Sequence, residues 1–276
     1  MALVGLSEAR AFPALAAFAR SREAIAASGM RIETGTRFRT VGEDVANVTS
    51  AARLTAQTTT LRSALTNGAS ATSLLQVARE GLDRIRTILE TLETLTTTAQ
   101  QTGLTTRDYA TLDAQFQSAQ AGIDAIATTT RYNGALLLDG TASGAGAPVF
   151  QLGYPAGSTV TVAIPDITSA SLFPAPVAIS DAASALTAAT SVATALGAID
   201  TAMAAIEASQ VQIDTAEAVT RRAVFHITEA AESLIGTDIA ADTASRARTS
   251  LQQQTAAALI AQSIGLNSSL LSLVEG

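Results

Sequence analysis

Cysteine, tryptophan and lysine are absent from this 276-residue chain, histidine occurs once, and aromatic side chains amount to 4%. Without cysteine there is no disulfide framework, no thiol nucleophile and no zinc ribbon. The single imidazole, His226 in A-V-F-H-I-T, has no second histidine with which to build a metalloprotease helix, and is expected as a packed or rim residue. No metal, cofactor or catalytic residue is therefore expected, and the chain reads as a non-enzyme. Asp108, Asp113, Asp124, Glu207, Glu217 and Glu229 are scattered along helical segments, a spacing that usually forms solvated faces. All seventeen cations are arginines, outnumbered by 24 acids for a net charge of −7. That balance argues against nucleic acid as a partner, because phosphate binding needs clustered cations to displace counterions. The opening M-A-L-V-G-L-S-E-A-R-A-F-P lacks the basic flank, apolar run and small-residue cleavage site of a secretory signal, so any export is expected by another route.

What the chain does hold is 47% hydrophobic residues, mostly small or aliphatic, suited to helices packed closely along their lengths. From about residue 43 to 101, Leu54, Leu61, Gly68, Leu75, Leu82 and Leu89 recur every seven residues, with Ala64, Ala71, Ala78, Ile85 and Leu92 three places after. These are the a and d positions of a heptad, and a continuous helix of that length spans roughly 85 Å. The heptad returns in Val192, Ile199, Ile206, Ile213, Thr220, Ile227 and Leu234, with a partner series Leu196, Met203, Gln210, Glu217, Val224 and Ala231 whose polar members weaken the seam. The expected seam is thus carried by Leu54, Leu61, Leu75, Leu82 and Leu89 against Ile199, Ile206, Ile213 and Ile227.

Between the two long helices lie a shorter one, opened by an acid-substituted capping box at Thr105 and Asp108, and a turn at Tyr132, Asn133 and Gly134. Residues 139–180 hold five of the six prolines, and the alternation from Thr159 to Ile164 after V-F-Q-L predicts a β-hairpin. Ser180 or Asp181 can cap the second long helix, and Thr237 or Asp238 the last. Two further amphipathic helices flank the whole, with bends expected at Gly29 and Gly35. Polar insertions at 252–254, 262–263, 267–269 and 272 argue against a membrane span in the last helix. The spacing predicts a mainly α fold: a long antiparallel coiled-coil helical rod with paired terminal helices and a small β-hairpin tip. Its expected division is a discontinuous domain at 1–38 and 236–276 and a rod domain at 39–235, with the β-rich tip at 139–180.

Four stretches in order resemble bacterial flagellin. S-G-M-R-I-E-T-G-T-R-F-R-T-V-G-E-D-V-A-N, from Ser28 to Asn47, resembles the N-terminal signature of that family, and Y-N-G-A-L-L-L-D-G, from Tyr132 to Gly140, resembles its asparagine-glycine turn and leucine pair. F-Q-L-G-Y-P-A-G-S-T-V-T-V-A-I resembles the hairpin that follows, and the stretch 239–274, ending S-L-L-S-L-V, resembles the C-terminal helix. The resemblance implies a filament subunit exported unfolded through the flagellar type III apparatus with a chaperone, meeting cap and hook-junction proteins, and located in the extracellular flagellum. It also implies a homopolymer formed through both terminal helices. On that reading Phe12, Leu15, Phe18 and Ile25 from the first helix carry self-association, with Leu259, Ile264, Leu266, Leu270, Leu271 and Val274 from the last. Apolar helices of this kind offset their ordering entropy by burying one another between copies. The competing role for each residue is plain intramolecular core, since pairing of the two helices also buries apolar faces.

The opening departs from the asparagine-rich start common in flagellins, and Glu275 and Gly276 replace a basic ending, which leaves the hook-filament junction protein as an alternative. A coiled-coil signalling or adaptor rod is the alternative from another class. The segment that resembles the flagellin region recognised by Toll-like receptor 5 falls on 90–98, E-T-L-E-T-L-T-T-T, and holds no arginine, so weak or absent receptor activation is expected. Hydroxyls such as Ser143, Ser158, Thr159 and Ser171 could accept O-linked sugars if the tip is outermost; two N-glycosylation patterns, at Asn47 and Asn267, carry no weight.

Overall fold

The computed structural model describes the backbone of residues 2–38, 40–154 and 157–275, and the side chains of 13–38, 40, 42–154 and 157–265. The fold is mainly α-helical, as the heptads predict. Helix α1 spans Ala2–Thr34 and α2 Val45–Ala99; α3 spans Thr106–Thr129. Two short strand pairs follow, β1 Arg131–Tyr132 with β2 Ala135–Leu136 and β3 Val149–Gln151 with β4 Thr159–Thr161, both antiparallel. The one-turn helix α4, Ser169–Leu172, leads to α5, Ala182–Ile235, and α6, Ile239–Glu275. Two compact units result: one contains residues 1–56 and 226–276, the other residues 57–225.

In the second unit, α2 and α5 run antiparallel. Ion pairs Arg79–Glu207 (3.3 Å) and Arg86–Asp200 (3.0 Å) and the hydrogen bond from Gln210 to Thr72 (3.3 Å) step in opposite directions along the two helices. Leu61, Leu75, Leu82 and Leu89 are buried, as are Ala64, Ala71, Ala78, Ile85 and Leu92, while Leu54, in the first unit, is half-buried. On α5, Val192, Ile199, Ile206 and Ile213 are buried, and Ile227, in the first unit, is half-buried. The second buried series on α5 differs from the one its larger side chains suggest. Ala188, Ala195 and Ala202 lie in the core, while Leu196 and Met203 are half-buried at its rim. Small residues let the backbones approach, and the longer ones cover the flank of the three-helix core that α3 completes with Phe116, Ile123 and Ala127. α5 carries a stretch long and apolar enough, by length and composition, to cross a membrane; its a-type residues form part of this core.

The polar seam residues have partners that fix the register. Gly68 leaves the space into which the Glu217 side chain fits; Glu217 is only 14% exposed and bonds Arg221 at 2.9 Å, and the Thr220 hydroxyl donates to the Leu152 carbonyl. Glu217 is thus not a solvated-face residue, and neither are two acids of α3. Asp113 accepts the Ile179 N–H (2.8 Å), and Asp124 accepts the Ser169 N–H (2.8 Å) and hydroxyl (2.6 Å), anchoring the proline-rich return. Phe116 and Phe173 meet edge to face at 6.4 Å on the same path.

Caps form where side-chain oxygens were expected. Thr105 and Asp108 make a reciprocal capping box, Asp181 and Ser184 another, and Asp238 accepts the Ala241 N–H at 3.0 Å. Asn133 (φ 49°) and Gly134 (φ 84°) form the two-residue turn between β1 and β2, the left-handed pair such hairpins need. The second hairpin is shorter than its alternation suggests; Pro155 and Ala156, between its strands in sequence, lie outside the described residues. Ile164 and Ile167 leave the ladder to donate to the carbonyls of Ala142 and Leu138, so Val162, Ile164 and Ile167 are buried without extending the strand. Helix α1 continues through Gly29 and stops at Gly35, whose φ of 69° ends the helical run. Along the exposed helix faces, serine and threonine hydroxyls donate to carbonyls one turn back, as at Thr87, Thr91, Thr94 and Thr98.

Candidate self-association surface

α1 and α6 lie side by side within the first unit, and few side chains are buried between them. Among the described residues of the two helices, only Ser21, Ser28 and Ala256 are buried. The serines turn their hydroxyls back on their own helix, to the carbonyls of Phe18 and Ile25, so the seam is one of small groups in close approach. Larger apolar side chains point away. Leu15 (58% exposed), Leu259 (58%) and Ile264 (64%) stand in water, as do Met30 and Leu251, while Phe18 and Ile25 are half-buried. Phe12, Leu266, Leu270, Leu271 and Val274 fall on side chains outside those described.

A two-helix pair offers only one contact face per helix, so helices apolar on several sides must leave part of that surface open. Here the opening has shape: a groove of about 510 Å³ is lined by Ala14, Ala17, Ser21 and Ala24 of α1 and Thr255, Ala256 and Leu259 of α6. Arg20 of α1 and Thr249 and Gln252 of α6 complete its lining, so the groove is partly polar. Met30 and Leu251 belong to this exposed set although the sequence reading did not name them among the self-association residues.

At the base of the pair the chain is tied. Thr36 and Gly236 form an antiparallel bridge, with Arg37 N–H donating to Ile235 (2.9 Å) and Thr237 N–H to Gly35 (3.1 Å). The Arg31 guanidinium forks onto both carboxylate oxygens of Asp242 (3.0–3.2 Å), and the Thr237 hydroxyl also donates to that carboxylate. Hydrogen bonds from Arg31 first and Thr237 second hold the Asp242 carboxyl below the ordinary carboxylate range, and the same Asp242 contact raises Arg31. Asp242 reads in sequence only as an acid suiting the first turn of a helix; its partner is 211 positions away, beyond any local pattern.

His226 is exposed, not packed, with Nδ1 3.8 Å from Glu229. In the 90–98 segment Leu92 and Thr96 are buried, and Glu90 pairs with Arg86 at 3.4 Å.

Residues 8–143 match the family model of the bacterial flagellin N-terminal helical region. The chain is 29% identical to Flagellin A of Helicobacter pylori over 151 residues, covering 55% of this chain and 29% of that one. It is 30% identical to Flagellin A of Helicobacter felis over 139 residues, 50% and 26% of the two chains. The matched region spans less than a third of the length of these relatives. Among solved structures, Bacillus cereus flagellin is similar at 28% identity over 54% of this chain and 85% of that one, with a TM-score of 0.49. A protein described as flagellar hook-associated, from Vibrio parahaemolyticus, shares the fold at 12% identity over 70% of this chain and all of that one, with a TM-score of 0.59.

Proposed function

Because this chain belongs to the bacterial flagellin family, we propose that it is a structural subunit of the flagellar filament and polymerises through α1 and α6 to serve swimming motility. The observation that carries the reading is the exposure of Leu15, Leu259 and Ile264 on a helix pair whose own seam is made of serine and alanine. Burying such side chains contributes about 1.5–3 kcal/mol each, and copies packed helix against helix are the means by which this pair can do so. Phe18 and Ile25 extend the same surface, and Phe12, Leu266, Leu270, Leu271 and Val274 are assigned to it on the sequence reading. The polymerisation domain is 1–38 with 236–276, and 39–235 is the coiled-coil domain.

The protein acts in the extracellular flagellum, as a structural component and not an enzyme. It leaves the cell through the flagellar export apparatus, accompanied by a chaperone, and meets cap and hook-junction proteins there.

Negative-stain electron microscopy after salting out tests this, comparing the full chain with a version ending at Gly236. Long uniform filaments from the full chain alone are expected, with Leu15→Asp and Ile264→Asp variants remaining single chains. Compact particles from every version would refute open polymerisation; if those particles cap preformed filaments, the hook-filament junction role replaces it.

A further inference from the structure

Two asparagine-glycine pairs stand in the second unit, Asn67–Gly68 and Asn133–Gly134, in opposite settings. Asn67 lies inside α2. Its backbone follows the helical ladder, its carboxamide donates to the Gln151 carbonyl (3.2 Å), and Glu217 packs against the glycine beside it. Asn133 sits instead at the crest of the turn between β1 and β2. It is exposed, and its φ of 49° makes it the one non-glycine residue in the left-handed region among the described residues. The ladder pairs Arg131 with Leu136 and Tyr132 with Ala135, so the Gly134 N–H stands outside it. The space beside that glycine is open, since an added Cβ would meet no atom within 4 Å. An aspartate-glycine pair nearby, Asp139–Gly140, is held differently. Thr141 donates its hydroxyl and its N–H (3.1 Å) to the Asp139 carboxylate; the hydroxyl bond first holds that carboxyl below its ordinary range, and an ionised carboxylate is a poor electrophile.

We propose that Asn133 is a site of spontaneous backbone modification: the Gly134 amide nitrogen closes on the Asn133 side-chain carbonyl carbon, and water opens the cyclic imide to aspartate or isoaspartate. In the first step the bond from Gly134 N to Asn133 Cγ forms, and the carboxamide nitrogen leaves as ammonia, taking the N–H proton. Water then attacks either ring carbonyl. Attack at Cγ restores the ordinary main chain and leaves an aspartate; attack at the main-chain carbonyl leaves the chain running through Cβ and Cγ. Ammonia departs and water enters, with no oxidant required. Ring closure takes residue 133 out of its left-handed conformation, so the turn opens first. That opening is local, because a pair of two-residue strands is marginal by itself. Isoaspartate adds a main-chain carbon that a two-residue turn does not accommodate. The next tie in line is the bond from the Leu137 N–H to the Thr130 carbonyl (3.2 Å), with Leu137 and Leu138 buried behind it. The modification therefore loosens the edge of the core. It is a property of the single chain and stands apart from the filament reading.

Peptide mapping by mass spectrometry, on the full chain incubated at mildly alkaline pH, tests this, with electron-transfer fragmentation separating isoaspartate from aspartate. Both products are expected at Asn133, at a rate at least about tenfold above that at Asn67, whose helix opens at a larger free energy. In the urea-unfolded chain the two pairs should convert alike. Asn133→Gly retains a residue suited to positive φ and cannot cyclise. After the same incubation this variant should keep the hydrogen-exchange protection at 130–138 that the parent chain loses. Equal conversion at Asn67 and Asn133 in the folded chain would overturn the proposal, as would an unreacted Asn133 where the unfolded chain reacts. Aspartate without isoaspartate, or equal loss of protection in Asn133→Gly, would overturn it too. Filament formation is not part of the readout, so failure here and failure of the filament reading are separately visible.

Discussion

Replacing Gly68 by alanine should destabilise the second unit, although glycine-to-alanine in a helix interior ordinarily stabilises by about 1 kcal/mol. The reason is Glu217. A Cβ on residue 68 would lie 2.9 Å from Glu217 Cγ and 3.0 Å from Cδ, too close for either to stay. The glutamate must swing outward. Its two methylenes then return to water at a cost of about 0.8 kcal/mol each. The bond to Arg221, an i,i+4 pair whose arginine is exposed, loosens for about 0.3–0.5 kcal/mol more. A loss of about 2 kcal/mol against a gain of about 1 leaves the variant roughly 1 kcal/mol less stable. Glu217→Ala in the same chain removes the obstacle, so the double variant should regain the helix contribution and show a coupling of about 2 kcal/mol in a double-mutant cycle. Urea unfolding followed by far-ultraviolet circular dichroism measures all four corners. A Gly68→Ala chain with a raised midpoint, or additivity across the cycle, would refute the notch and with it the register in which residue 68 faces 217.

Two further outcomes follow from side chains that anchor distant backbone. Asp124→Ala leaves the Ser169 N–H and hydroxyl without their acceptor and should cost about 1–3 kcal/mol by the same urea assay, with faster proteolysis confined to residues 166–180. Asp44, Asp108, Asp139, Asp181 and Asp242 all have carboxyls held below the ordinary range, chiefly by hydrogen bonds from Asn47, Thr105, Thr141, Ser184 and Arg31 in that order. Their contribution is complete above the unfolded aspartate value near about 4 and disappears as pH falls through the lower folded values. The thermal midpoint should therefore be flat near neutrality and drop below about pH 4, and a midpoint that rises on acidification would contradict these caps.

The long helices were legible because apolar residues recur at every seventh place, and the caps of α3, α5 and α6 because threonine or aspartate precedes each of these three. Ala188, Ala195 and Ala202 were not, since alanine adds little to a hydrophobic pattern even when its smallness is what allows close approach. Asp113 and Asp124 looked like surface acids because their carboxylates accept from backbone N–H groups 66 and 45 residues away, which no pattern of side chains records. The strand ending at Thr161 was overread for a related reason. Val162, Ala163 and Ile164 keep the alternation of a strand, yet the N–H of Ile164 is claimed by Ala142. In the self-association surface, the sequence could nominate Leu15, Leu259 and Ile264 as apolar but could not say which way they point. The Arg31–Asp242 contact lay beyond it altogether.

The hydroxyls along the helix faces leave an unusual outer skin. Each threonine that sends its proton to a carbonyl of its own helix, as Thr87, Thr91, Thr94 and Thr98 do, shows the solvent only oxygen lone pairs. Such a surface solicits donors and supplies few. In a chain with no lysine side chains, the strongest side-chain donors a neighbouring copy can bring are guanidinium forks, whose planar N–H array can serve several oxygens at once. The exclusive use of arginine thus matches the skin it would meet on another copy of itself.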